Sequence, residues 1–203
     1  QEAVFTRRGI SRVADYALEL AGTRRGQVTS ATKSNGLIHS MPFWDEVVQE
    51  RASECPDITL ASEHIDALAA KLVLRPEQYD VIVASNLFGD ILSDLAAGVT
   101  GSIGIAPSAN LDPTGRHPSM FEPVHGSAPD IAGQGIANPV GTILSAALLL
   151  RYSLGLEAEA AAIEAAVDTA ITAGARTKDL GGTLSTTAMT DRVLAQLEQA
   201  VSS

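Results

Sequence analysis

The segment that most constrains this chain is residues 86–94, NLFGDILSD, which directly follows the apolar run DVIVAS at residues 80–85. The run predicts a buried strand and the segment predicts a helix, so the helix begins at the carboxyl end of a sheet, where α/β proteins place their ligands. Asp90 and Asp94 are four residues apart and share one face of that helix. Their mutual repulsion is removed by a divalent cation, and oxygen ligands without Cys or His suit Mg²⁺ or Mn²⁺. The alternative is the solvated face of an ordinary surface helix.

The rest of the chain alternates between strand-like and helical apolar patterns, which is typical of an α/β protein. The composition changes after Gly98, where a segment rich in Gly, Pro, Ser and Asn follows, so we expect two domains, residues 1–99 and residues 100–203. Strands are predicted at residues 27–32 and 80–85, and helices at residues 7–22, 41–54, 62–74, 140–151, 157–173 and 190–201.

The composition argues against several kinds of partner. The chain of 203 residues carries 24 acidic and 14 basic side chains, a net charge of −10, whereas a nucleic-acid-binding protein needs a basic face. No apolar run reaches the roughly 18 residues of a membrane span, so we expect no membrane partner. Cys55 is the only cysteine, which excludes a disulfide within the chain and leads us to expect a cytoplasmic protein.

Two further charged side chains lie at positions that suggest chemistry. Lys33 follows the predicted strand at residues 27–32 among small polar neighbours, SATKSNG, and a lysine beside a metal ion and a substrate can act as a base. Asp66 lies in the apolar helical segment EHIDALAA, where a carboxylate needs a partner. The simpler alternatives are a solvated surface lysine and a first-turn aspartate stabilised by the helix dipole.

Residues 122–139, EPVHGSAPDIAGQGIANP, contain two turns of small residues whose backbone amides can cradle a phosphate or a ribose. Asp130 can accept hydrogen bonds from two ribose hydroxyls, and its charge repels a 2′-phosphate, which favours NAD over NADP. The segment lacks the GxGxxG pattern of dinucleotide-binding loops, so an ordinary loop is the alternative. His125 and His64, taken alone, are equally compatible with structural histidines.

Four motifs, found in this order, make the chain resemble the β-decarboxylating dehydrogenases, the family that contains isocitrate, 3-isopropylmalate, tartrate and D-malate dehydrogenases. The resemblance covers the chain from Phe5 to the C-terminus. It implies an isopropylmalate/isocitrate dehydrogenase-like two-lobe α/β fold that is incomplete at the N-terminus. The motifs are TKSNG at residues 32–36, HIDALAA at residues 64–70, NLFGDILSD at residues 86–94 and EPVHGSAPDIAGQGIANP at residues 122–139.

The resemblance also implies roles for the two expected domains. Residues 1–99 would be the remnant of the dimer-forming lobe that binds substrate and metal. Residues 100–203 would be the second half of the NAD-binding lobe. The implied reaction is the oxidative decarboxylation of a small 2-hydroxy dicarboxylic acid, with NAD and either Mg²⁺ or Mn²⁺.

Site residues follow from the matched motifs. Asp90 and Asp94 match metal ligands, Asp66 matches the third metal aspartate, and Lys33 matches the lysine implicated in proton transfer from the substrate hydroxyl. In the family, the lysine and the third aspartate come from the neighbouring subunit, so the site requires a homodimer. The residues that match cofactor contacts are Asn35, near the nicotinamide ribose, and His125, Gly126, Ser127, Ala128, Asp130 and Asn138, on the adenosine side.

The motifs also bear on the substrate. SATKSNG and the run APSANLDPTGRHPSMFEPVHGSAPD look most similar to tartrate and D-malate dehydrogenases, because isopropylmalate dehydrogenases usually read DKANV at the lysine motif. 3-Isopropylmalate dehydrogenase is the alternative.

The sequence shows no counterpart of the family's N-terminal part, which carries the arginines that bind substrate carboxylates and the tyrosine that protonates the product enolate. We therefore expect the chain to be inactive alone or to be part of a longer enzyme. A truncated homologue that only dimerises or binds nucleotide is a further alternative. A phosphotransferase is disfavoured because the sequence has no P-loop.

Overall fold

The chain folds into two compact units, Gln1–Val99 and Thr100–Ser203, each with its own apolar core. The computed structural model describes residues 2–201. The first residue of the first expected domain, residue 1, and the last two residues of the second, 202 and 203, lie outside the described residues. No helix within residues 2–201 is long and apolar enough to cross a membrane.

The first unit is a three-stranded parallel sheet packed against helices. Its elements, in chain order, are α1 (Arg7–Gly22), β1 (Gln27–Thr32), α2 (Met41–Ser53), β2 (Thr59–His64), α3 (Ile65–Leu74), β3 (Val81–Val83) and α4 (Asn86–Val99). The strands are ordered β2–β1–β3, and both outer strands run parallel to β1. Strands followed by helices in a parallel sheet are the arrangement that the alternating sequence pattern predicts.

β1 is the buried centre of this unit. Every residue of the strand after Gln27 is buried, and Val28 and Ala31 belong to the apolar core. Trp44 on α2 is buried against the sheet, and its Nε1 donates a hydrogen bond of 2.9 Å to Ser30 Oγ. The end of β1, from which Lys33 projects into the following loop, is therefore supported by packing on both sides.

The predicted helix at residues 62–74 is wrong at its start. Residues Thr59–His64 form β2, which pairs with β1 from Gln27 opposite Thr59 to Thr32 opposite His64, and α3 begins only at Ile65. β2 is an edge strand of mostly polar or half-exposed side chains, so it lacks the apolar alternation by which a strand is recognised. The correction places Asp66 in the first turn of α3.

Other predicted boundaries also move, and the helix predicted at residues 140–151 extends to Leu154. β3 covers only Val81–Val83 of the predicted run at residues 80–85. In the second unit, the helix Thr186–Val201 begins four residues earlier than predicted, because Ser185 Oγ accepts a hydrogen bond from Ala188 N and ends the preceding loop.

The second unit is an antiparallel strand pair packed against a helix layer. Its elements are β4 (Pro107–Asn110), β5 (Met120–Pro123), α5 (Val140–Leu154), α6 (Glu157–Thr172) and α7 (Thr186–Val201). α5 contacts both strands and α6, and α6 contacts α7. The core contains Val140, Val167, Met189 and Val193. α5 approaches the strand region closely at Gly141, where a Cβ atom would lie 2.9 Å from the backbone oxygen of Gly104.

The turn that joins α6 to α7 contains residues 179–182, DLGG, a sequence typical of turns, and is tightly constrained. Gly182 N donates to Thr177 O at 2.9 Å, and Leu184 N donates to Arg176 O at 3.0 Å. A Cβ atom on Gly182 would lie only 2.0 Å from Arg176 O, and Gly181 has a φ of +75°. Only glycine fits at these positions, so the turn holds Lys178 and Asp179 in a fixed backbone conformation.

Candidate functional site

Lys33 and Asp66 form an ion pair in the first unit. Lys33 lies directly beyond β1 and Asp66 in the first turn of α3, and Lys33 Nζ lies 2.6 Å from Asp66 Oδ1. The Lys33 hydrogen bond is the largest of several contributions that lower the pKa of Asp66. The partner that the sequence required for Asp66 is thus Lys33, and the aspartate also occupies the first-turn position that the helix dipole favours.

The side chains of Asp90 and Asp94 lie on an exposed face of α4. Phe88 and Leu92 turn the opposite face into the core. Leu87 and Ile91 lie on the same exposed face as the two aspartates, at helical spacing, and are 65% and 50% exposed. This face therefore combines two carboxylates with apolar side chains that nothing in the described part of the chain covers.

The carboxylates of Asp66, Asp90 and Asp94 are suitable ligands for a hard divalent ion, but one copy of the chain does not bring all three together. Carboxylate oxygens are the donors that Mg²⁺ and Mn²⁺ prefer. Among residues 2–200, however, no group of three or more His, Cys, Asp or Glu side chains is close enough to hold a metal ion. A single copy of the chain thus presents Asp66 apart from the α4 pair.

A cavity of about 570 Å³ opens in the second unit. The structure brings four of the predicted cofactor residues to its wall: His125, Gly126, Ala128 and Asn138. Ser127 and Asp130 are exposed residues of the same loop and are not among the residues that line it, and Asn35 is an exposed residue of the first unit. The remaining wall is mostly apolar, with Ile103, Ile131, Ile136 and Ala137.

The loop that carries these residues is held in an unusual backbone conformation. Ala128 has a φ of +43° and is the only described residue other than glycine with a positive φ. The Ala128 oxygen accepts a hydrogen bond from Ile131 N at 3.1 Å. His125 Nδ1 lies 2.9 Å from Gly126 O. A strained alanine at a cavity wall is a feature that often marks a ligand site.

The cavity suits the apolar face of a nucleotide base and a polar ribose. Ligand sites of this size are typically apolar with a few fixed polar groups, and this one has isoleucine and alanine side chains beside Asn138, Lys178 and Asp179. The open space at Gly126, where a Cβ atom would meet nothing within 4 Å, leaves the backbone of this loop accessible. The described residues therefore fit the adenosine half of a dinucleotide.

Three residues in or beside the cavity were not identified from the sequence as functional: Ser102, Thr177 and Asp179. Asp179 accepts hydrogen bonds from Ser102 Oγ, from Thr177 Oγ1 at 2.5 Å and from Asn138 Nδ2 at 2.9 Å. Partial desolvation of the carboxylate opposes its ionisation, but these hydrogen bonds outweigh it and lower the pKa of Asp179. The local sequence DLGG indicates only a turn, because nothing in it shows which distant residues meet the aspartate.

Comparison with known proteins gives a consistent result. Residues 2–193 match the sequence profile of the isocitrate/isopropylmalate dehydrogenase family. The chain is 56% identical to a probable tartrate dehydrogenase/decarboxylase of Bacillus subtilis and 52% identical to a D-malate dehydrogenase (decarboxylating) of Escherichia coli, over 98% and 95% of its length. It is also 52% identical, over 93% of its length, to a 3-isopropylmalate dehydrogenase of Anaeromyxobacter dehalogenans.

The fold matches as well as the sequence. A crystal structure of a β-decarboxylating dehydrogenase from Thermococcus kodakarensis superimposes on 98% of the chain with a TM-score of 0.86 and 44% identity. The chain covers 57% of that structure, and 56%, 55% and 52% of the three sequence relatives. It thus spans about half the length of the proteins that it matches.

Proposed function

The chain belongs to the isocitrate/isopropylmalate dehydrogenase family, and from this premise we propose that it carries out the NAD-linked, metal-dependent oxidative decarboxylation of a small 2-hydroxy dicarboxylic acid of the tartrate or D-malate type. Because the chain spans about half of its relatives, we propose this activity for the protein at its full length, and little or none for residues 1–203 alone. The proposed location is the cytoplasm.

The contact between Lys33 and Asp66 is the observation that carries the proposal. It joins a basic and an acidic side chain, from a strand end and a helix start, at 2.6 Å. Neither residue lies in a group of acids large enough to hold a metal within residues 2–200. We propose that one copy presents Lys33 and Asp66 to the Asp90 and Asp94 carboxylates of a second copy, which brings three carboxylates to one ion.

The proposed chemistry divides between these groups. A divalent ion held by the three carboxylates would polarise the substrate hydroxyl and stabilise the negative charge that develops on its oxygen as carbon dioxide leaves. Lys33, as a neutral amine, would accept the proton of that hydroxyl, while the carbon that bears the hydroxyl gives a hydride to NAD. Asp66, in contact with Lys33 Nζ, fixes the position of the nitrogen. Asn35, two residues after Lys33, is proposed to contact the nicotinamide ribose.

The exposed face of α4 supports a homodimer. Leu87 and Ile91 are large apolar side chains on a helix surface, and burial against a second copy would remove them from water. Asp90 and Asp94 lie on the same face, so an interface there would also bring the two carboxylates to the partner. The first unit is therefore proposed as the dimer-forming lobe that binds metal and substrate.

The second unit is proposed as part of the NAD-binding lobe. His125, Gly126, Ala128 and Asn138 would contact the adenosine half in the cavity, and Ser127 and Asp130 would do so from its edge. The preference for NAD over NADP rests on the negative charge of Asp130 and on the apolar Ile131, which lines the cavity. Lys178 also lines the cavity and supplies the opposite charge, so the two cofactors need direct comparison.

The surroundings of Lys33 support a small substrate. Gly36 follows Lys33 in a turn in which Gly36 N donates to Lys33 O at 2.9 Å. A Cβ atom on Gly36 would lie 3.6 Å from Lys33 Cγ and 3.7 Å from Cε, so glycine offers no apolar side chain beside the lysine stem for a branched substrate to contact. 3-Isopropylmalate is the alternative substrate, since a dehydrogenase of that name is as similar as the D-malate enzyme. A homologue that dimerises or binds nucleotide without catalysis is the second alternative.

One assay distinguishes these possibilities. The protein that carries this chain, at its full natural length, is incubated with Mn²⁺ and NAD or NADP and with D-malate, tartrate or 3-isopropylmalate, and the reduced cofactor and carbon dioxide are measured. We expect turnover of D-malate or tartrate with NAD and release of one carbon dioxide per cofactor reduced. Faster turnover of 3-isopropylmalate would replace the substrate assignment, and no turnover of any of the three would support the non-catalytic homologue.

A further inference from the structure

Three segments that are distant in sequence meet at the carboxylate of Asp179. Ser102 precedes a short 3-10 turn, Asn138 precedes α5, and Thr177 belongs to the turn between α6 and α7. All three side chains are buried, with 8%, 8% and 0% exposure, and all three donate a hydrogen bond to Asp179. Asp179 is itself an exposed residue. One surface carboxylate therefore satisfies three buried donors.

The hydrogen bonds have only one possible direction. Asn138 Oδ1 accepts from Val140 N at 3.0 Å, so the Asn138 amide group must point its Nδ2 toward Asp179. Ser102 Oγ accepts from Gly104 N at 2.9 Å, and because an ionised carboxylate has no proton to donate, the Ser102 hydroxyl donates to Asp179. A carboxylate is the side chain that accepts several hydrogen bonds without donating one. An asparagine at position 179 keeps one oxygen for Ser102 and Asn138 but turns its NH₂ group toward Thr177 Oγ1 and loses the negative charge.

The same residues form part of the cavity wall. Ser102, Gly104, Asn138 and Asp179 all line the cavity. They are packed without spare room, because a Cβ atom on Gly104 would lie 3.0 Å from Asn138 Cβ and 3.0 Å from Asp179 Oδ2. A change in the direction of the Asp179 carboxylate would therefore move the Asn138 side chain and the backbone at Gly104 together.

We propose that Asp179 is a positioning residue for the cofactor: it orients the Asn138 amide and the Ser102–Gly104 backbone at the wall of the cavity that receives the adenosine half of NAD. The proposal rests on the proposed function, because it needs a nucleotide in this cavity. It assigns Asp179 no contact with the reacting atoms. The expected effect is on the affinity for the adenosine half of the cofactor and not on the metal or the substrate.

The test measures binding of AMP, NAD and Mn²⁺ by calorimetry to the full-length protein and to its Asp179→Asn variant. Loss of a charge-assisted acceptor for three donors is expected to weaken AMP and NAD binding about ten- to a hundredfold. Mn²⁺ affinity is expected to be unchanged, because the proposed metal ligands all belong to the first unit. Asp191→Asn, which changes an exposed aspartate on α7 outside the cavity wall, is the matched control and is expected to bind AMP like the unchanged protein.

A double-mutant cycle separates positioning from general stability. If Asp179 acts through Asn138, Asn138→Ala and Asp179→Asn weaken AMP binding by less in combination than the sum of their separate effects. A network that serves only stability would lower the melting temperature and leave AMP affinity unchanged at temperatures at which the variant is folded. If Asp179→Asn does not fold, Ser102→Ala, which removes one donor and leaves the other two, carries the same measurement.

The outcomes separate this proposal from the one on which it rests. AMP affinity in Asp179→Asn equal to that of the unchanged protein would overturn the positioning role and leave the dehydrogenase proposal intact. No binding of AMP or NAD by the unchanged protein would remove both. Weaker AMP binding with unchanged Mn²⁺ binding and a non-additive cycle is the result that the proposal predicts.

Discussion

Lys33 Nζ and Asp66 Oδ1 lie 2.6 Å apart, although the two residues belong to different elements and are separated by 33 positions in the chain. The contact arises because β1 and β2 are adjacent and parallel, with Thr32 opposite His64. The carboxyl ends of both strands therefore lie at the same edge of the sheet, and Lys33 and the first turn of α3 meet there. Residues that follow adjacent parallel strands are the usual positions of functional side chains in α/β proteins.

Asp66→Asn tests the role of this pair. We expect catalytic turnover of the full-length protein to fall about a hundredfold or more, because the variant loses a proposed metal carboxylate and the group that positions Lys33. The melting temperature is expected to change little, since Asp66 is solvent-exposed and exposed ion pairs add little stability. Glu63→Gln is the matched control: it breaks the neighbouring Glu63–Lys71 pair of 3.0 Å and is expected to retain activity. Equal activity in the two variants would argue against the role of Asp66.

Gly36→Val tests the substrate assignment. A valine would place apolar methyl groups beside the Lys33 side chain, where glycine has none, for the isopropyl group of the larger substrate to contact. We expect kcat/KM for 3-isopropylmalate relative to D-malate to rise about tenfold, because one or two buried methyl groups are worth about that factor in a specificity pocket. Steady-state kinetics with both substrates provides the ratio. Ile38→Val, in the same exposed loop, is the control, and a ratio unchanged in Gly36→Val would show that this position does not face the substrate.

Leu87→Gln combined with Ile91→Gln tests the proposed dimer. These changes replace two exposed apolar side chains of α4 with polar ones of similar size and add no charge beside Asp90 and Asp94. If a second copy covers this face, we expect the dimer dissociation constant to rise at least about tenfold, as burial of one large apolar side chain contributes roughly that factor or more. Sedimentation velocity over a range of concentrations measures the change. Val13→Gln on α1, also an exposed apolar position, is expected to leave the dimer intact.

Gly182→Ala tests the turn that holds Asp179. A Cβ atom at this position would lie 2.0 Å from the backbone oxygen of Arg176, so the backbone must move. We expect a loss of about 2 kcal/mol or more in the free energy of unfolding, together with weaker AMP binding. Gly22→Ala is the contrast, because a Cβ atom at this exposed position of α1 would meet only Ile58 Cδ1, at 4.0 Å, and an alanine there is expected to stabilise by up to about 1 kcal/mol. Denaturant unfolding of both variants gives the comparison.

Asp112 predicts a pH dependence in the loop between β4 and β5. A hydrogen bond from the Thr114 side chain, with others from the backbone of Thr114, His117 and Arg116, lowers the pKa of Asp112 to about 2. Since this value lies below the ordinary aspartate pKa of about 3.9, these bonds contribute fully above that ordinary value and are lost as the pH falls through the folded pKa.

The matching measurement is an NMR titration of the Asp112 carboxyl carbon, with a midpoint expected near pH 2. At neutral pH, Asp112→Ala is expected to speed hydrogen exchange of the Arg116 and His117 amides, whereas Asp168→Ala on α6 is not. A midpoint near the ordinary value would mean that the loop does not hold the carboxylate in this way.

The sequence predicts elements with a buried face well, and it predicts exposed elements poorly. α1 and β1 lie where the periodic patterns place them, because apolar spacing reports directly which face of an element is buried. The predicted helix at residues 62–74 wrongly includes the last three residues of β2, because an exposed edge strand carries no such pattern. The family resemblance and the fold are confirmed by the sequence and structure comparisons.

The sequence predicts which residues belong to the candidate site, but it does not predict most of the contacts between them. Lys33 and Asp66 were each singled out from local sequence, but their contact depends on the register of β1 and β2, which only the folded chain shows. Asp179 escaped notice because its significance lies in donors 77 and 41 residues away. Long-range hydrogen bonds of this kind leave no local periodicity. The roles of the site residues and the NAD preference stay predictions.

The central claim is that two copies of the chain share each active site, and subunit complementation tests it most directly. One full-length variant carries Asp90→Asn and Asp94→Asn, a second carries Lys33→Ala and Asp66→Asn, and each is expected to be inactive alone. When the two are unfolded together and refolded as a mixture, mixed dimers contain one complete site, and activity is expected to return to about a quarter of that of the unchanged enzyme for random pairing. A mixture as inactive as its two components, in which mixed dimers are shown to form, would contradict the account.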